Sequence, residues 1–238
     1  MSERIALETE GLCAGYGKVA AIHDLSLAVP EGATVALLGP NGAGKTTTLS
    51  AITGTVRATG GTVRLFGQPI DHLSTYHRAM RGLTLVPEGR GVFPGLTVGE
   101  NLQLAADSAR DVDPAWRRRQ LARVHDLFPA LGGRSKQRAG TLSGGEQQML
   151  AMSHAFLANP KVLMMDEISA GLAPLIVQLL YSAVADLKSD GTTIVLVEQY
   201  VGYALRLADI CYVMGKGTVT FVGEPAELAG AGSGISYL

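Results

Sequence analysis

The order of apolar and polar residues along the chain predicts strands and helices in an α/β arrangement. In the first thirty residues the two kinds alternate, as in RIALETEGLC and AIHDLSLAV, which is typical of antiparallel strands with one wetted face. The apolar run GATVALLG predicts a buried strand that leads through a glycine-rich turn into the helix GKTTTLSAITG. A short strand GGTVRLFG, a helix near residues 74–82 and a strand GLTLVPEG follow.

The middle third of the chain changes to a helical pattern. TVGENLQLAA begins with the capping-box pair Thr97 and Glu100, and DPAWRRRQLARVHDLFPAL begins with Asp113 as its N-cap. A third helix is expected over about residues 143–158. This part of the chain is therefore predicted to be a helical insertion.

Strands and helices alternate again after the insertion. KVLMMDE and TTIVLVEQ predict strands that are each followed by a helix, and ICYVM, GKG and TVTFVG predict a closing hairpin. This alternation favours a mostly parallel core sheet, preceded by an N-terminal antiparallel β part. We expect a single domain over residues 1–238, with a helical subdomain over about residues 92–158 inserted in the α/β core.

Composition narrows the class of protein. Hydrophobic residues make up 47% of the chain, which suits a parallel sheet buried on both faces. No apolar run approaches the roughly 18 residues of a membrane span, so we expect a soluble chain without a signal peptide. The net charge of −1 argues against a nucleic-acid partner, and the basic run WRRRQLAR is typical of a solvated helix face. Cys13 and Cys211 lack metal-ligand spacing and are expected to be small core residues.

The segment GPNGAGKT matches the phosphate-binding pattern G-x-x-x-x-G-K-[ST] between a predicted strand and a predicted helix. Successive N–H groups and the helix dipole surround the phosphates of a nucleotide in such a loop. Lys45 is expected to neutralise the terminal phosphates, and the Thr46 hydroxyl is expected to bind Mg²⁺. The predicted P-loop residues are Gly39, Pro40, Asn41, Gly42, Ala43, Gly44, Lys45 and Thr46.

Two carboxylates end the predicted strand KVLMMDE. Asp166 lies at the carboxyl edge, where ligands bind in a parallel sheet, and it can hold Mg²⁺ through water. Glu167 is placed to polarise a water that attacks the γ-phosphate. An acidic pair alone is more typical of a helix N-cap, but the P-loop in the same chain favours the catalytic interpretation.

The helix predicted from Ser143 begins with Gly144 and Gly145, although glycine is the poorest helix former after proline. Glycines at a helix N-terminus expose N–H groups and let an anion approach closely, so the chain would carry a second phosphate cradle. The insertion either folds back over this chain's own nucleotide or covers the γ-phosphate of a nucleotide held by another chain. An ordinary capping box of Ser143 and Glu146 is compatible with both.

The segments GPNGAGKTT, LSGGE, VLMMDE and SAGLAP, in this order and spacing, resemble the ATPase subunit of an ABC transporter over essentially the whole chain. The resemblance implies a P-loop NTPase cassette with ATP and Mg²⁺ as cofactors. It implies two cassettes packed head to tail, with each ATP between the P-loop of one and the LSGGE segment of the other. The residues that would then act in trans are Ser143, Gly144, Gly145 and Glu146.

The resemblance also assigns roles to single residues. Tyr16 would stack on adenine, and Thr47 would reach the α-phosphate. Glu88 stands where most of the superfamily has a glutamine that senses Mg²⁺ and the membrane partner, and Gln199 stands where most have a histidine that touches the γ-phosphate. The Gln199 amide can still donate a hydrogen bond, but it does not titrate. The implied metal-binding set is Thr46, Asp166 and Glu88, and the implied catalytic pair is Glu167 and Gln199.

The combination of VPEGRxVFPxLTVxENL with LVEQ resembles one branch of the family, the ATPases of branched-chain amino-acid importers that pair with a second, non-identical ATPase. Urea and amide importers have very similar motifs, and ATPases for lipid or lipopolysaccharide export use the same cassette. Ile168 and Tyr200 depart from the branch, which usually has proline and asparagine at these positions.

The resemblance implies several partners and a peripheral position at the cytoplasmic face of the inner membrane. The partners would be an identical or paralogous ATPase subunit, membrane permeases and, indirectly, an extracytoplasmic solute-binding protein. The segment EGRGVFPGL is the expected docking surface, with Phe93 and Pro94 as exposed apolar residues. An ATPase acting on DNA or ribosomes would need a coiled-coil insertion or a second cassette, and a P-loop kinase or GTPase would lack LSGGE.

Overall fold

The computed structural model describes residues 4–89, 91–109, 112–198 and 201–230, which form ten strands and nine α-helices. The strands are β1 (Ile5–Tyr16), β2 (Val19–Pro30), β3 (Thr34–Leu38), β4 (Ala58–Leu65), β5 (Gln68–Pro69), β6 (Leu83–Val86), β7 (Val162–Asp166), β8 (Thr193–Glu198), β9 (Ile210–Gly215) and β10 (Thr218–Gly223). The helices are α1 (Lys45–Thr53), α2 (Thr75–Met80), α3 (Val98–Ser108), α4 (Pro114–Leu127), α5 (Pro129–Gly132), α6 (Gly144–Ala158), α7 (Pro174–Ser189), α8 (Val201–Leu207) and α9 (Pro225–Gly230).

The chain divides into two compact units. The first contains Met1–Leu85, Lys161–Glu167 and Lys188–Leu238, and the second contains Val86–Pro160 and Ile168–Leu187. The sheets belong to the first unit, and α3 to α6 belong to the second. The single domain over the whole chain, with a helical subdomain over about 92–158, stays a prediction.

The first unit contains two sheets. The N-terminal sheet is antiparallel, with strand order β2-β1-β4-β5, and the core sheet has the order β10-β9-β3-β8-β7-β6. In the core sheet β3 is parallel to both β8 and β9, and β7 is parallel to β8, whereas β10 is antiparallel to β9. The prediction of a mostly parallel core sheet with an N-terminal antiparallel part is therefore confirmed.

The core of the first unit joins both sheets to α1. Every residue of β3, β7 and β8 is buried, as expected for continuous apolar strands covered on both faces. Leu7 of β1, Leu37 of β3, Leu49 of α1 and Val195 of β8 belong to one buried apolar cluster. This packing fixes the turn between β3 and α1, because both of its flanking elements are anchored in the core.

The helical pattern of the second unit is confirmed, with one difference. Both predicted capping boxes form, and α3 packs against α6. The stretch beginning at Asp113 was expected to be one helix, but it forms two, because Pro129 lacks an N–H and disfavours helical geometry in the residue before it. Phe128 accordingly leaves the helical region, with φ −126° and ψ 67°.

The two cysteines differ in burial, although both were expected in the core. Cys211 is buried, and burial raises the pKa of its thiol to about 11. Cys13 is only half-buried: it lies between Leu12 and Ala14, whose side chains are buried, so the alternation along β1 places it on the other face, and its Sγ accepts a hydrogen bond from the Asp24 amide at 3.3 Å. The helix α9 follows the closing hairpin, where no helix was predicted.

Across the described ranges, no helix combines the length and the apolar character that crossing a membrane requires.

Candidate nucleotide site

The P-loop forms the turn between β3 and α1, with three glycines in backbone conformations that other residues rarely adopt. The φ angles are 150° at Gly39, 80° at Gly42 and 101° at Gly44, which is the N-cap of α1. A Cβ at Gly39 would lie 2.4 Å from the Met214 carbonyl oxygen, and one at Gly44 would lie 2.7 Å from the Ile22 side chain. A Cβ at Gly42 would meet no described residue beyond its chain neighbours within 4 Å, so the φ angle alone favours glycine there.

The turn between β9 and β10 contacts the backbone of the P-loop. The Gly217 amide, in the turn between β9 and β10, donates to the Ala43 carbonyl at 3.0 Å. Within the loop the Ala43 amide donates to the Pro40 carbonyl at 3.1 Å. These two hydrogen bonds hold the backbone of the loop at Ala43.

Lys45 is the first residue of α1, and its side chain extends back to the carbonyl groups of the P-loop. Its side chain is 4% exposed, and its Nζ donates to the carbonyl oxygens of Gly39 at 2.8 Å and Pro40 at 3.2 Å. The same Nζ lies 3.4 Å from Oε1 of Glu167. The structure therefore brings together two residues that are 122 positions apart in the sequence and that were both predicted at the site.

The remaining predicted P-loop residues differ in exposure. Pro40, Asn41, Gly42 and Thr46 are exposed, and the Thr46 hydroxyl is thus open to a ligand. Thr47 is 7% exposed, because its side chain begins the buried face of α1.

The strand-end carboxylates lie beside the P-loop strand in the core sheet. Asp166 ends β7, pairs in register with Val197 of β8 and is 3% exposed. Glu198, which lies in the quoted segment LVEQ but was given no role, ends β8 in register with Leu38, the residue before the P-loop, and is 1% exposed. The carboxyl ends of three parallel strands thus meet at one edge, which is where ligands bind in open α/β sheets.

Glu167 has an unusual backbone conformation. Its φ is 45°, in the left-handed region that costs a side-chain-bearing residue roughly 1–3 kcal/mol. Its amide donates to the Val197 carbonyl at 2.9 Å, which anchors this conformation to β8. Strained residues of this kind concentrate at functional sites.

The donor set suits Mg²⁺ bound together with a nucleotide. Among the described residues no group of three or more His, Cys, Asp or Glu side chains could hold a metal ion alone. Mg²⁺ usually binds through one or two carboxylates plus substrate phosphates, and the exposed Thr46 hydroxyl and the Asp166 carboxylate supply the hard oxygen ligands that it prefers. Glu88, the third predicted ligand, is an exposed residue of the second unit.

Tyr16 belongs to the same unit as the P-loop. It ends β1, pairs with Val19 across the hairpin turn and is 57% exposed. An exposed ring of this size is free to stack on a planar ligand. Gln199, predicted to touch the γ-phosphate, and Tyr200 lie outside the described residues.

The LSGGE segment (residues 142–146) forms the N-terminus of α6 in the second unit. Ser143 is the N-cap and is exposed, and Gly144 begins the helix. A Cβ at Gly145 would lie 3.2 Å from the Ile176 side chain, so this glycine also permits close packing on α7. Hydrogen bonds from the Ser143 amide and hydroxyl hold the pKa of the Glu146 carboxyl below its usual value, with a smaller contribution from Arg134.

Sequence reasoning missed three residues that support these elements: Arg78, Asn101 and Arg134. Arg78 donates to backbone carbonyls at the end of α1, and Asn101 donates to and accepts from the backbone of Phe93. Arg134 lies 3.1 Å from Glu146. Asn101 lies within the quoted motif VPEGRxVFPxLTVxENL but was given no role, and no motif includes Arg78 or Arg134, whose partners are backbone groups or residues in other elements.

The fold and the P-loop with its strand-end carboxylates define a P-loop ATPase cassette. A family model described as ABC transporter matches residues 22–170, more than half of the chain, so the chain belongs to the ABC transporter family.

Relatives match over nearly their whole length. The chain is 43% identical over 213 residues to the "High-affinity branched-chain amino acid transport ATP-binding protein BraG" of Pseudomonas aeruginosa, covering 90% of each chain. It is 38% identical to the "Probable branched-chain amino acid transport ATP-binding protein LivF" of Archaeoglobus fulgidus, covering 93% of each. It is also 32% identical to the "Lipopolysaccharide export system ATP-binding protein LptB" of Haemophilus influenzae, covering 93% of this chain and 92% of that protein. Among solved structures, "Structure of ATP binding subunit of ABC transporter" superposes with a TM-score of 0.83 at 28% identity, covering 94% of this chain and 91% of that chain.

Proposed function

We propose that the chain is the ATP-hydrolysing subunit of a membrane importer, and that the imported solute is a branched-chain amino acid. The observation that carries the ATPase part is the Lys45–Glu167 pair in the P-loop, with Asp166 at the adjoining strand end. The solute class rests on the 43% and 38% identical relatives, whose names specify branched-chain amino acid transport.

In this proposal Lys45 exchanges its contacts with the loop carbonyls and Glu167 for the terminal phosphates of ATP. Thr46 and Asp166 hold Mg²⁺, with Glu88 as a further contributor; when bound, the ion neutralises charge on the phosphate oxygens. Glu167, released from Lys45, orients the attacking water, and Gln199 donates a hydrogen bond to the γ-phosphate. Tyr16 stacks on the adenine.

A second copy or a paralogous ATPase completes the site. Ser143, Gly144, Gly145 and Glu146 of one chain act on the ATP held by the other, where the exposed N-terminus of α6 provides N–H groups for phosphate. Hydrolysis removes the phosphate that links the two chains, so the pair opens. The alternative, in which the segment acts on its own chain's nucleotide, predicts an active monomer.

The opening and closing would drive membrane permeases, with the chain peripheral at the cytoplasmic face and a solute-binding protein on the other side. Phe93 is 50% exposed, and the Asn101 side chain anchors its backbone through hydrogen bonds of 2.9 and 3.0 Å. This exposed, anchored ring is the proposed centre of the permease contact.

The experiment is an ATPase assay of the chain assembled with its membrane subunits and binding protein. We expect branched-chain amino acids to stimulate turnover severalfold, and Phe93→Asp to abolish the stimulation while leaving nucleotide binding unchanged. Val222→Asp, a matched change at an exposed apolar residue of β10, should keep the stimulation.

Stimulation by lipopolysaccharide with no response to amino acids would instead support an export function, which the 32% identical relative LptB makes the second candidate. A response to urea or short amides alone would favour an importer for those solutes.

A further inference from the structure

The Glu146 carboxylate lies between two partners at the start of α6. Its Oε2 accepts hydrogen bonds from the Ser143 amide at 2.9 Å and from the Ser143 hydroxyl at 2.8 Å. Its Oε1 lies 3.1 Å from Nε of Arg134. Because one oxygen faces each partner, the guanidinium limits rotation of the carboxylate and keeps Oε2 on the serine.

Arg134 is itself held in place by the loop that precedes α6. One terminal guanidinium nitrogen of Arg134 donates to the Gln137 side-chain oxygen at 3.0 Å, and the Gln137 side-chain nitrogen donates to the Thr141 hydroxyl at 3.0 Å. The backbone adds a turn, because the Gln137 amide donates to the Arg134 carbonyl at 2.8 Å. The chain of contacts therefore runs from the loop through Arg134 and Glu146 to the Ser143 hydroxyl.

The charge at this position is as relevant as the geometry. The exposed N-terminus of α6 is suited to an anion, but a carboxylate within its first turn repels a phosphate. The Glu146 side chain is only 17% exposed, so solvent screens its charge incompletely, and Arg134 is the cation in contact with it.

We propose that Arg134 is a positioning residue for Ser143, which acts through Glu146 by orienting its carboxylate and offsetting its charge. The inference rests on the proposed function, in which Ser143 contacts the γ-phosphate of a neighbouring chain's ATP. The contacts of Arg134 are with Glu146 and Gln137, so its proposed effect on Ser143 depends on the charge of Glu146.

A double-mutant cycle on the full-length chain tests this dependence, with ATP turnover at saturating ATP and nucleotide binding as the two measurements. We expect Arg134→Gln to lower kcat by about fivefold while the affinity of the separate chain for ADP, which depends on the P-loop, stays unchanged. In a Glu146→Gln background, the added Arg134→Gln change should cost less than about twofold, because the amide carries no charge to offset.

Lys136→Gln is the matched control. Lys136 is an exposed cation of the same loop with no ion pair to any described residue, and its removal should leave turnover unchanged. The inference is overturned if Arg134→Gln leaves kcat unaltered, costs as much in the Glu146→Gln background, or acts no more strongly than Lys136→Gln.

A Ser143→Glu variant distinguishes failure of the proposed function from failure of the inference about Arg134. Normal turnover of Ser143→Glu contradicts the proposed role of Ser143. An inactive Ser143→Glu together with a fully active Arg134→Gln contradicts only the inference.

Discussion

Single residues at the site are held by partners that lie far away in the sequence. Glu167 keeps a left-handed backbone through the Val197 carbonyl, and its carboxylate faces Lys45. Lys45 makes its other contacts with carbonyls of its own loop. The two side chains thus form an ion pair between residues that are far apart in the sequence.

A half-buried histidine predicts how stability depends on pH. His154 lies in α6, its Nε2 has no hydrogen-bond partner in the described part of the chain, and burial lowers its pKa to about 4. The unfolded chain binds this proton below the usual pKa of about 6.5, whereas the folded chain does not bind it until about pH 4. The free energy of unfolding should therefore decrease as the pH is lowered from about 6.5 to about 4, by up to roughly 3 kcal/mol.

Urea denaturation at several pH values between 7 and 4 measures this loss. His154→Leu should remove most of the pH dependence in the window, and His125→Gln, a change at an exposed histidine of α4, should leave it intact. An undiminished slope in His154→Leu would contradict the assignment.

Among the helices, α1 is held at both ends by hydrogen bonds. Its first residue, Lys45, donates to carbonyls of the P-loop. At its other end Arg78 of α2 donates to the carbonyls of Ala51 at 2.9 Å and Ile52 at 2.7 Å. Arg78 also donates to the Asp71 and Leu73 carbonyls, and it is 5% exposed. A cation at the C-terminus of a helix satisfies carbonyls that lack intrahelical partners and suits the helix dipole.

Removal of this contact should destabilise the chain. Burial lowers the pKa of Arg78, with Asp71 partly opposing that effect, but the group stays charged at neutral pH because an arginine pKa starts so high. Arg78→Met leaves buried carbonyls without their charged donor, so we expect the free energy of unfolding to fall by about 2–4 kcal/mol. The exposed Arg57 provides the control: Arg57→Met should change it by less than about 0.5 kcal/mol in the same chemical denaturation experiment. Equal effects of the two substitutions would show that the buried contact has no special weight.

At the scale of the whole molecule, the question is whether one chain forms a complete site. The P-loop lies in the first unit and the LSGGE segment lies in the second. A site shared between chains requires that two differently damaged chains can repair each other, whereas a site within one chain does not allow this.

Mixing Lys45→Ala chains with Ser143→Glu chains tests the shared site. Each variant alone should be nearly inactive, and the equimolar mixture should regain roughly a quarter of wild-type turnover, because half of the pairs are mixed and each mixed pair has one intact site. Lys45→Ala mixed with Glu167→Gln should regain nothing, since both changes damage the same half of the site. Failure of the first mixture to recover, with both variants folded and forming mixed pairs, would contradict action in trans.

Features that depend on neighbouring residues were predictable from the amino-acid sequence. The strand–glycine loop–helix order of the P-loop, the two capping boxes and the alternation of strands and helices are local, so the periodicity and the turn residues were sufficient to predict them. The LSGGE segment was likewise visible as a glycine-rich helix start. Two predictions were wrong although their signals are local: Pro129 disfavours helical geometry in the residue before it, and Cys13 alternates with the buried Leu12 and Ala14.

Which side chains meet depends instead on how the strands and helices pack together. The contact of Lys45 with Glu167, the anchoring of Glu167 on β8, the Arg78 contacts with α1 and the placement of Glu198 beside the P-loop strand join separate elements. Even the contact of Arg134 with Glu146 crosses a loop that no periodic pattern describes. Such contacts form because the packing of buried strands and helices brings their ends together, and the pattern along one element contains no information about which other element will lie beside it.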